Sequence, residues 1–124
     1  MIGTRFAQAF AAKDSAALAE LLHPQIDFRG LTPSRAWEAH DPDGVLEILL
    51  GSWIEPTDHV RELVSVDGEP FMDREQLRYR MAVTNGDGAF VVEQQAYLEE
   101  RDGQIGWMRV LCSGFRPVDQ TGSE

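Results

Sequence analysis

Three consecutive polar residues, Glu93, Gln94 and Gln95, interrupt an apolar stretch near the end of the chain. The stretch reads FVVEQQAYLEERDGQIGWMRVLCSGF over residues 90–115 and is typical of two strands joined by a tight turn. Burying a carboxylate in an apolar cleft costs desolvation free energy unless a partner offsets it. Such carboxylates are often poised for proton transfer. Glu93 is therefore a candidate proton acceptor, and Gln95 and Tyr97 are candidate donors to an oxyanion or bound carbonyl. Alternatively, Gln95 and Tyr97 simply hydrogen-bond to their neighbours.

The RYR triplet supplies an arginine partner for Glu93. Any two- or four-residue loop within the TNGDGA segment pairs even positions of the earlier strand with odd positions of the later strand. Arg78 or Arg80 then lies opposite Glu93. The arginine would orient Glu93 as a base, or the two side chains would form a purely structural ion pair.

The histidines and the single cysteine offer little further chemistry. His40 precedes a predicted helix and could be a general base at a pocket mouth, or a solvent-exposed capping residue. His23 and His59 have no metal-ligand spacing with each other or with Cys112, so we expect no metal. Cys112 is interpreted as a small apolar residue that lines a pocket. Acid–base chemistry by these groups requires no cofactor.

Composition limits the possible partners. The 124 residues fit one domain with its own core, and 43% hydrophobic with 26% charged residues is typical of a globular protein. A net charge of -10 would repel a phosphate backbone, so nucleic acid is not expected as a partner. No apolar run reaches the ~20 residues that span a bilayer, and the N-terminus lacks a secretory pattern. We therefore expect no membrane association and a cytoplasmic location.

Hydrophobic periodicity changes from helical to β-like along the chain. We predict helices over about 3–12, 15–22 and 42–51, a short strand at Ile26 and Phe28, and an irregular segment over 31–40. Strands follow over 58–67, 74–84, 89–100 and 104–116, separated by Asp-Gly and Asn-Gly pairs. The pattern predicts an α+β domain over residues 1–117, in which three N-terminal helices pack on a curved, mainly antiparallel sheet, and a flexible tail over 118–124.

The last hairpin assigns side chains to faces. A two-residue turn at Asp102-Gly103 would place Glu93, Gln95 and Tyr97 on one face. Their partners on that face would be Cys112, Val110 and Met108. The opposite face would carry the large apolar residues Phe90, Met81, Trp107 and Leu111. Because helices can cover only one face, we predict a homodimer through the other.

Three segments carry a family resemblance: AAKDSAALAELLHPQIDFRG, DPDGVLEILL and YLEERDGQIGWMRVL. With this order of elements, the chain resembles the nuclear transport factor 2-like superfamily, in particular SnoaL-like proteins, over about residues 4–116. The resemblance implies a cone-shaped, cystatin-like α+β barrel in which helices close a curved sheet around a pocket. Many members are dimers.

The ketosteroid isomerases of this superfamily use a tyrosine, an aspartate base and a second carboxylic acid. Ungapped matching puts these positions at Phe6, Gly30 and Gln95, none of which keeps the required group. The match places Gln95, and with it Glu93 and Tyr97, on the pocket side. The ligand pocket is then predicted to include Phe6, Phe10, Phe28, Trp37, His40, Trp53, Arg78, Met108, Val110 and Cys112.

The resulting hypothesis is an enzyme of the isomerase, cyclase or hydrolase kind that acts by acid–base chemistry on a small hydrophobic organic molecule. Glu93, Arg80, Gln95 and Tyr97 are its predicted catalytic residues. Two alternatives stay open. One is a non-catalytic module that binds a small ligand, and the other is a dimeric scaffold whose cavity is filled by its own side chains.

Overall fold

The computed structural model describes residues 1–118. Helix α1 spans Ile2–Ala11, α2 spans Ser15–Leu21 and α3 spans Pro42–Leu46. The predicted tail, 118–124, lies outside the described residues except for Val118, and the boundary at residue 117 stays a prediction. No helix among residues 1–118 is long and apolar enough to cross a bilayer.

Two aspartates cap the N-termini of α2 and α3. Asp14 accepts a hydrogen bond from the backbone amide of Ala17 at 3.0 Å, and Asp41 accepts one from Gly44 at 2.7 Å. Helix α3 continues as a π-helical segment, Glu47–Trp53, whose wider turn is closed by a 3.0 Å bond from the Ile54 amide to the Leu49 carbonyl. The segment ends with the Trp53 indole buried in the core.

Within residues 1–118, seven strands form one mixed, unclosed sheet in the order β2-β1-β6-β5-β4-β3, and β7 pairs with β5 beyond the end of β6. Only β1 and β6 are parallel among the described pairs. The strands are β1 Leu22–Thr32, β2 Arg35–Ala39, β3 His59–Phe71, β4 Arg74–Asn85, β5 Gly88–Arg101, β6 Gln104–Cys112 and β7 Arg116–Pro117. The predicted α+β organisation, with helices on one face of a mainly antiparallel sheet, is confirmed.

Two local predictions were wrong. The segment expected to be irregular contains β2, which pairs with β1 from Thr32↔Arg35 to Phe28↔Ala39. Strand β3 also continues through Asp67-Gly68, where a turn was expected, because its ladder with β4 is maintained to Phe71. The chain reverses instead at Met72, which takes a positive φ of 56°.

A β-bulge at Gly106 changes the register of the last hairpin. The predicted Asp102-Gly103 turn is present, and Arg101 pairs with Gln104. Glu100 then pairs with Ile105, but Glu99 pairs with Trp107, so Gly106 is the extra residue. A Cβ on Gly106 would lie 2.6 Å from the Cβ of Arg101, which explains the glycine.

The bulge reverses the predicted face assignment of β5. Gln94 is now the partner of Cys112, where Glu93 was expected. Even-numbered residues of β5 therefore face the helices, and Glu93, Gln95 and Tyr97 lie on the outer face. The predicted pairing of β4 with β5 is confirmed, with Arg80 opposite Glu93.

The core lies between the three helices and the inner face of the sheet. Phe6 and Phe10 of α1 pack on the ring of Tyr79, with ring centroids 6.4 and 6.3 Å away. Met81 is fully buried in this core, so its predicted place in an outer dimer face was wrong. Phe90 was also assigned to that face, but its even position points inward and its ring packs on Phe115 at 5.4 Å.

Trp53 occupies the interior of the cone above Gly30. A Cβ on Gly30 would lie 2.5 Å from the indole Cη2 of Trp53. The rings of Phe28 and Trp37 pack against the same indole, with their centroids 5.9 and 6.3 Å from that of Trp53. The position matched to the isomerase base is thus filled by an aromatic ring, which excludes any side chain there.

We predict that Gly30→Ala lowers the free energy of unfolding by about 1–3 kcal/mol, because the added methyl group overpacks the site. In a Trp53→Phe background the same substitution should cost much less, since the clashing atoms are absent. Gly51→Ala is the matched control, because its Cβ would meet only Glu47 Cγ at 3.8 Å. Urea denaturation of the four variants and the wild type checks this. An equal cost of Gly30→Ala in both backgrounds would contradict it.

Candidate functional site

A cavity of about 420 Å³ opens at the wide end of the cone. It lies between the end of the π-helical segment, the β1–β2 turn and the inner face of β5 and β6. Trp37, Trp53 and Phe115 supply aromatic surface. The polar and thiol groups of the wall come from Thr32, Ser34, Ser52, Glu55, Asp58, Asn85, Gln94 and Cys112.

A buried hydrogen-bonded pair, Tyr79 and Gln94, connects the core to this cavity. Each residue is only 1% exposed, and the Tyr79 hydroxyl donates to Gln94 Oε1. Burial raises the pKa of the Tyr79 phenol well above its usual range, and the proximity of Cys112 raises it further. The phenol therefore stays protonated at neutral pH and holds the Gln94 amide oxygen.

The remaining donor of that amide is unused. Gln94 Nε2 is buried and has no hydrogen-bond partner within residues 1–118. The same holds, over that part of the chain, for the indole Nε1 of Trp53. Two buried N–H donors without partners thus belong to residues that line one cavity, which suits a ligand with an acceptor atom.

Asp58 is the one carboxylate of the described cavity wall that is buried, at 5% exposure. Its Oδ1 accepts from Asn85 Nδ2 at 3.0 Å, and its Oδ2 accepts from the Glu55 amide at 2.8 Å. Lys13 Nζ donates to the backbone carbonyls of Glu55 and Asp58 at 2.7 and 2.5 Å. These bonds fix the loop, and each carboxylate oxygen keeps a lone pair for another partner.

The predicted pocket residues separate into three groups. Trp37, Trp53 and Cys112 line the cavity. His40 and Arg78 lie elsewhere: the His40 ring is 62% exposed and hydrogen-bonds to Glu38 at 2.6 Å, and Arg78 is exposed on the outer face. The other predicted residues are buried in the core and do not line the cavity: Phe6, Phe10, Phe28, Met108 and Val110.

The predicted catalytic set lies together, but on the outer face of the sheet. Arg80 donates to Glu93 Oε2 from Nη2 at 2.6 Å and from Nε at 3.1 Å. Gln95 Nε2 donates to the Tyr97 hydroxyl at 3.2 Å. Their expected place inside the cone was wrong because of the bulge at Gly106. The catalytic role itself stays a prediction.

A shallow groove of about 590 Å³ runs along this outer face, across β1, β2, β5 and β6. Leu31 and Leu111 are register partners there and are 51% and 54% exposed. Trp107 lies on the same face, with the guanidinium groups of Arg74 and Arg109 at 4.2 and 4.5 Å from its ring centroid.

Paired charges flank the groove. The hydrogen bond from Arg109 lowers the pKa of the Asp27 carboxyl, and the charge of Arg29 lowers this pKa further. The hydrogen bond from His40, followed by the charge of Arg29, lowers the pKa of Glu38. Both carboxylates therefore stay ionised at neutral pH and give the groove a charged rim. The walls of the groove, which include Leu31 and Leu111, are apolar.

Sequence reasoning missed three residues of the cavity system, namely Tyr79, Gln94 and Asp58. Strand alternation puts Tyr79 with Met81 and Gln94 with Phe90, on the face that was predicted to be the outer one. Asp58 stood at the start of a predicted strand without any motif. The signal that could have found the first two is Gly106, because an isolated glycine within a strand often marks a bulge.

Within residues 1–118, no group of three or more His, Cys, Asp or Glu residues is placed to hold a metal ion.

No protein-family model matches the chain, and no curated protein matches it either. Solved structures do match, at low identity. A candidate isomerase from Rhodopseudomonas palustris is 16% identical, with a TM-score of 0.76, and the match covers 100% of this chain and 98% of the other. A candidate polyketide cyclase from Pseudomonas putida is 12% identical, with a TM-score of 0.69 over 88% and 86% of the two chains.

An epoxide hydrolase from M. tuberculosis, described as LEH-like, is 11% identical, with a TM-score of 0.66 over 90% and 80% of the two chains. At such identities the likeness shows the fold alone. The chain has the nuclear transport factor 2-like cone fold, as the resemblance predicted.

Proposed function

We propose that the cone cavity binds a small, largely apolar organic molecule that carries a carbonyl or a similar hydrogen-bond acceptor. The observation that carries this proposal is the Gln94 side chain, which lines the cavity while its Nε2 lacks a partner among the described residues. A buried polar group left unsatisfied costs about 1–3 kcal/mol. A ligand acceptor would recover that cost, whereas a pure hydrocarbon would not.

The surroundings of Gln94 support the same assignment. Tyr79 donates to Oε1, and a bond accepted at the amide oxygen polarises the amide and strengthens donation from Nε2. A volume of about 420 Å³ falls at the small end of the range of ligand pockets, roughly 300–1,000 Å³. Trp37 and Trp53 offer aromatic surface, so a flat or aromatic molecule of modest size fits best.

We predict that benzylacetone, an aromatic ketone, binds about 10-fold more tightly than butylbenzene, which has the same carbon skeleton without the oxygen. Replacing both members of the buried pair, in Tyr79→Phe with Gln94→Leu, should abolish that preference without leaving a partner unpaired. Titration calorimetry measures both affinities. Gln95→Leu, one residue along on the outer face, is the matched control and should keep the preference. Equal affinities of the wild type for both compounds would contradict the proposal.

Acid–base turnover of the bound molecule is the second candidate function. Asp58 favours it, because this buried carboxylate lines the same cavity as Gln94. Asp58 would remove a proton from the carbon next to the carbonyl, and Gln94 would donate to the developing enolate oxygen. The isomerase and cyclase names of similar structures agree with enolate chemistry.

For this second function we expect the wild type to exchange the α-hydrogens of benzylacetone for deuterium in D₂O. Asp58→Asn should slow the exchange about 100-fold, since it removes the base. Proton NMR of the ketone follows the reaction. Glu93→Gln is the control, because its carboxylate is paired with Arg80 on the outer face. If exchange is lost in Glu93→Gln and unchanged in Asp58→Asn, the base is Glu93 on the outer face and the role given to Asp58 is contradicted.

A homodimer through the outer face of the sheet is the third part of the proposal. Exposed Leu31 and Leu111, next to a groove with apolar walls, support it, because large exposed apolar surface often marks an interface. Arginines and carboxylates at the rim can pair between two copies. Leu111 and Trp107 belong to this surface, whereas Met81 and Phe90 do not.

We predict that Leu111→Asp converts the dimer to a folded monomer, since residue 111 is 54% exposed in the single chain and tolerates a charge there. Sedimentation velocity gives the oligomeric state, and circular dichroism verifies the fold. Val64→Asp is the matched control, because Val64 is similarly exposed, at 46%, but does not line the groove. A wild-type chain that sediments as a monomer would refute this part.

A further inference from the structure

Cys112 ends β6 in the wall of the cone cavity and is half-buried. The backbone amide of Gly114 donates to its Sγ at 3.4 Å. The thiolate is the nucleophilic form of cysteine. Cys112 is the chain's one cysteine, so its thiol has no disulfide partner within the chain.

An independent observation beside this thiol points to a ligand. Gln94 is the direct cross-strand partner of Cys112, lines the same cavity and has a buried Nε2 with no partner in residues 1–118. Side chains directly opposite each other in an antiparallel pair have Cβ atoms about 4.5–5.5 Å apart. The nucleophilic sulfur of Cys112 therefore neighbours an N–H donor of Gln94 that is free to bind a ligand carbonyl.

We propose that Cys112 adds covalently to α,β-unsaturated ketones or aldehydes bound in the cone cavity, with Gln94 Nε2 donating to the carbonyl oxygen. This inference rests on the proposed function of the cavity and specifies its substrate class. The oxygen and the β-carbon of such a compound are three bonds apart, which suits two adjacent cross-strand side chains.

The reaction balances without a co-reactant. The sulfur lone pair forms a bond to the β-carbon, the carbon–carbon π bond breaks, and its electrons move to the carbonyl oxygen as an enolate. Gln94 stabilises that charge by hydrogen bonding. The proton lost from the thiol ends on the α-carbon, so the product is a saturated carbonyl compound joined to the protein by a thioether.

Two other side chains with buried polar atoms, His23 and Glu75, do not indicate a ligand site. His23 is buried, but its Nδ1 accepts from the Gln25 amide and its Nε2 bonds to Asp102, so both ring nitrogens are used. Glu75 has one buried oxygen without a partner among the described residues, yet its other oxygen accepts from the Gly3 amide at the start of α1, which is a structural role. Within residues 1–118, Cys112 and Gln94 place a reactive atom directly opposite a residue with a free donor in one cavity.

The test compares two electrophiles by intact-mass spectrometry. Benzylideneacetone needs carbonyl activation, whereas iodoacetamide alkylates a thiol by displacement, so its rate reports the accessibility and reactivity of the thiol without that activation. We expect one benzylideneacetone adduct per chain, absent in Cys112→Ser. In the variant that combines Tyr79→Phe with Gln94→Leu, the adduct should form about 100-fold more slowly, the typical cost of losing one oxyanion donor. The iodoacetamide rate should change less than about threefold if the thiol environment is kept.

A second variant tests whether altered packing at Tyr79 and Gln94, and not loss of the donor, explains the slower reaction. Gln94→Met, again combined with Tyr79→Phe, keeps the length of the side chain but removes the N–H donor, and it should slow the benzylideneacetone reaction selectively as well. Equal slowing of both electrophiles in both variants would overturn the proposal, as would adduct formation in Cys112→Ser. If the wild type binds benzylacetone but forms no adduct, this inference fails alone. If it binds neither ketone, the proposed function fails too.

Discussion

One extra residue in β6 determines which side chains the cone encloses. The bulge at Gly106 shifts the partner of every later residue of β6 by one position along β5. Without it, Glu93 would face the helices and Gln94 would face solvent. With it, the carboxylate stays outside in an ion pair with Arg80, and an uncharged amide enters the core. Burying the amide costs far less than burying the carboxylate.

The interior of the cone is adapted to that neutral amide. Tyr79 holds the amide oxygen of Gln94, and the π-helical segment brings Trp53 over Gly30, which closes the deep end of the cone. What stays open is the wide end, where Gln94, Asp58 and Cys112 share a wall with two tryptophans. An aromatic layer beneath a few convergent polar groups is the usual composition of a small-molecule site.

The sequence predicted the fold well because its signals are local. Asp14 and Asp41 cap helices, and Asp102-Gly103 makes a tight turn, wherever the rest of the chain lies. The face assignment of β5 depended on the register beyond that turn, and one glycine, Gly106, inverted it. Asp58 could not be found because its importance comes from Asn85 and Lys13, which approach it only in the folded chain. The ungapped match to the isomerases put Gln95 on the pocket side, whereas the structure puts it on the outer face, bonded to Tyr97.

We propose above all that Gln94, and not its neighbour Gln95, is the residue that recognises a ligand. The most direct measurement is ¹⁵N–¹H NMR of the two side-chain amides, assigned with the Leu variants, during titration with benzylacetone. Gln94 lines the cavity, and Gln95 donates to Tyr97 on the outer face. We expect the Gln94 signals to shift and saturate while those of Gln95 stay fixed. A shift of Gln95 alone, or binding of the ketone with the Gln94 signals unmoved, would contradict it.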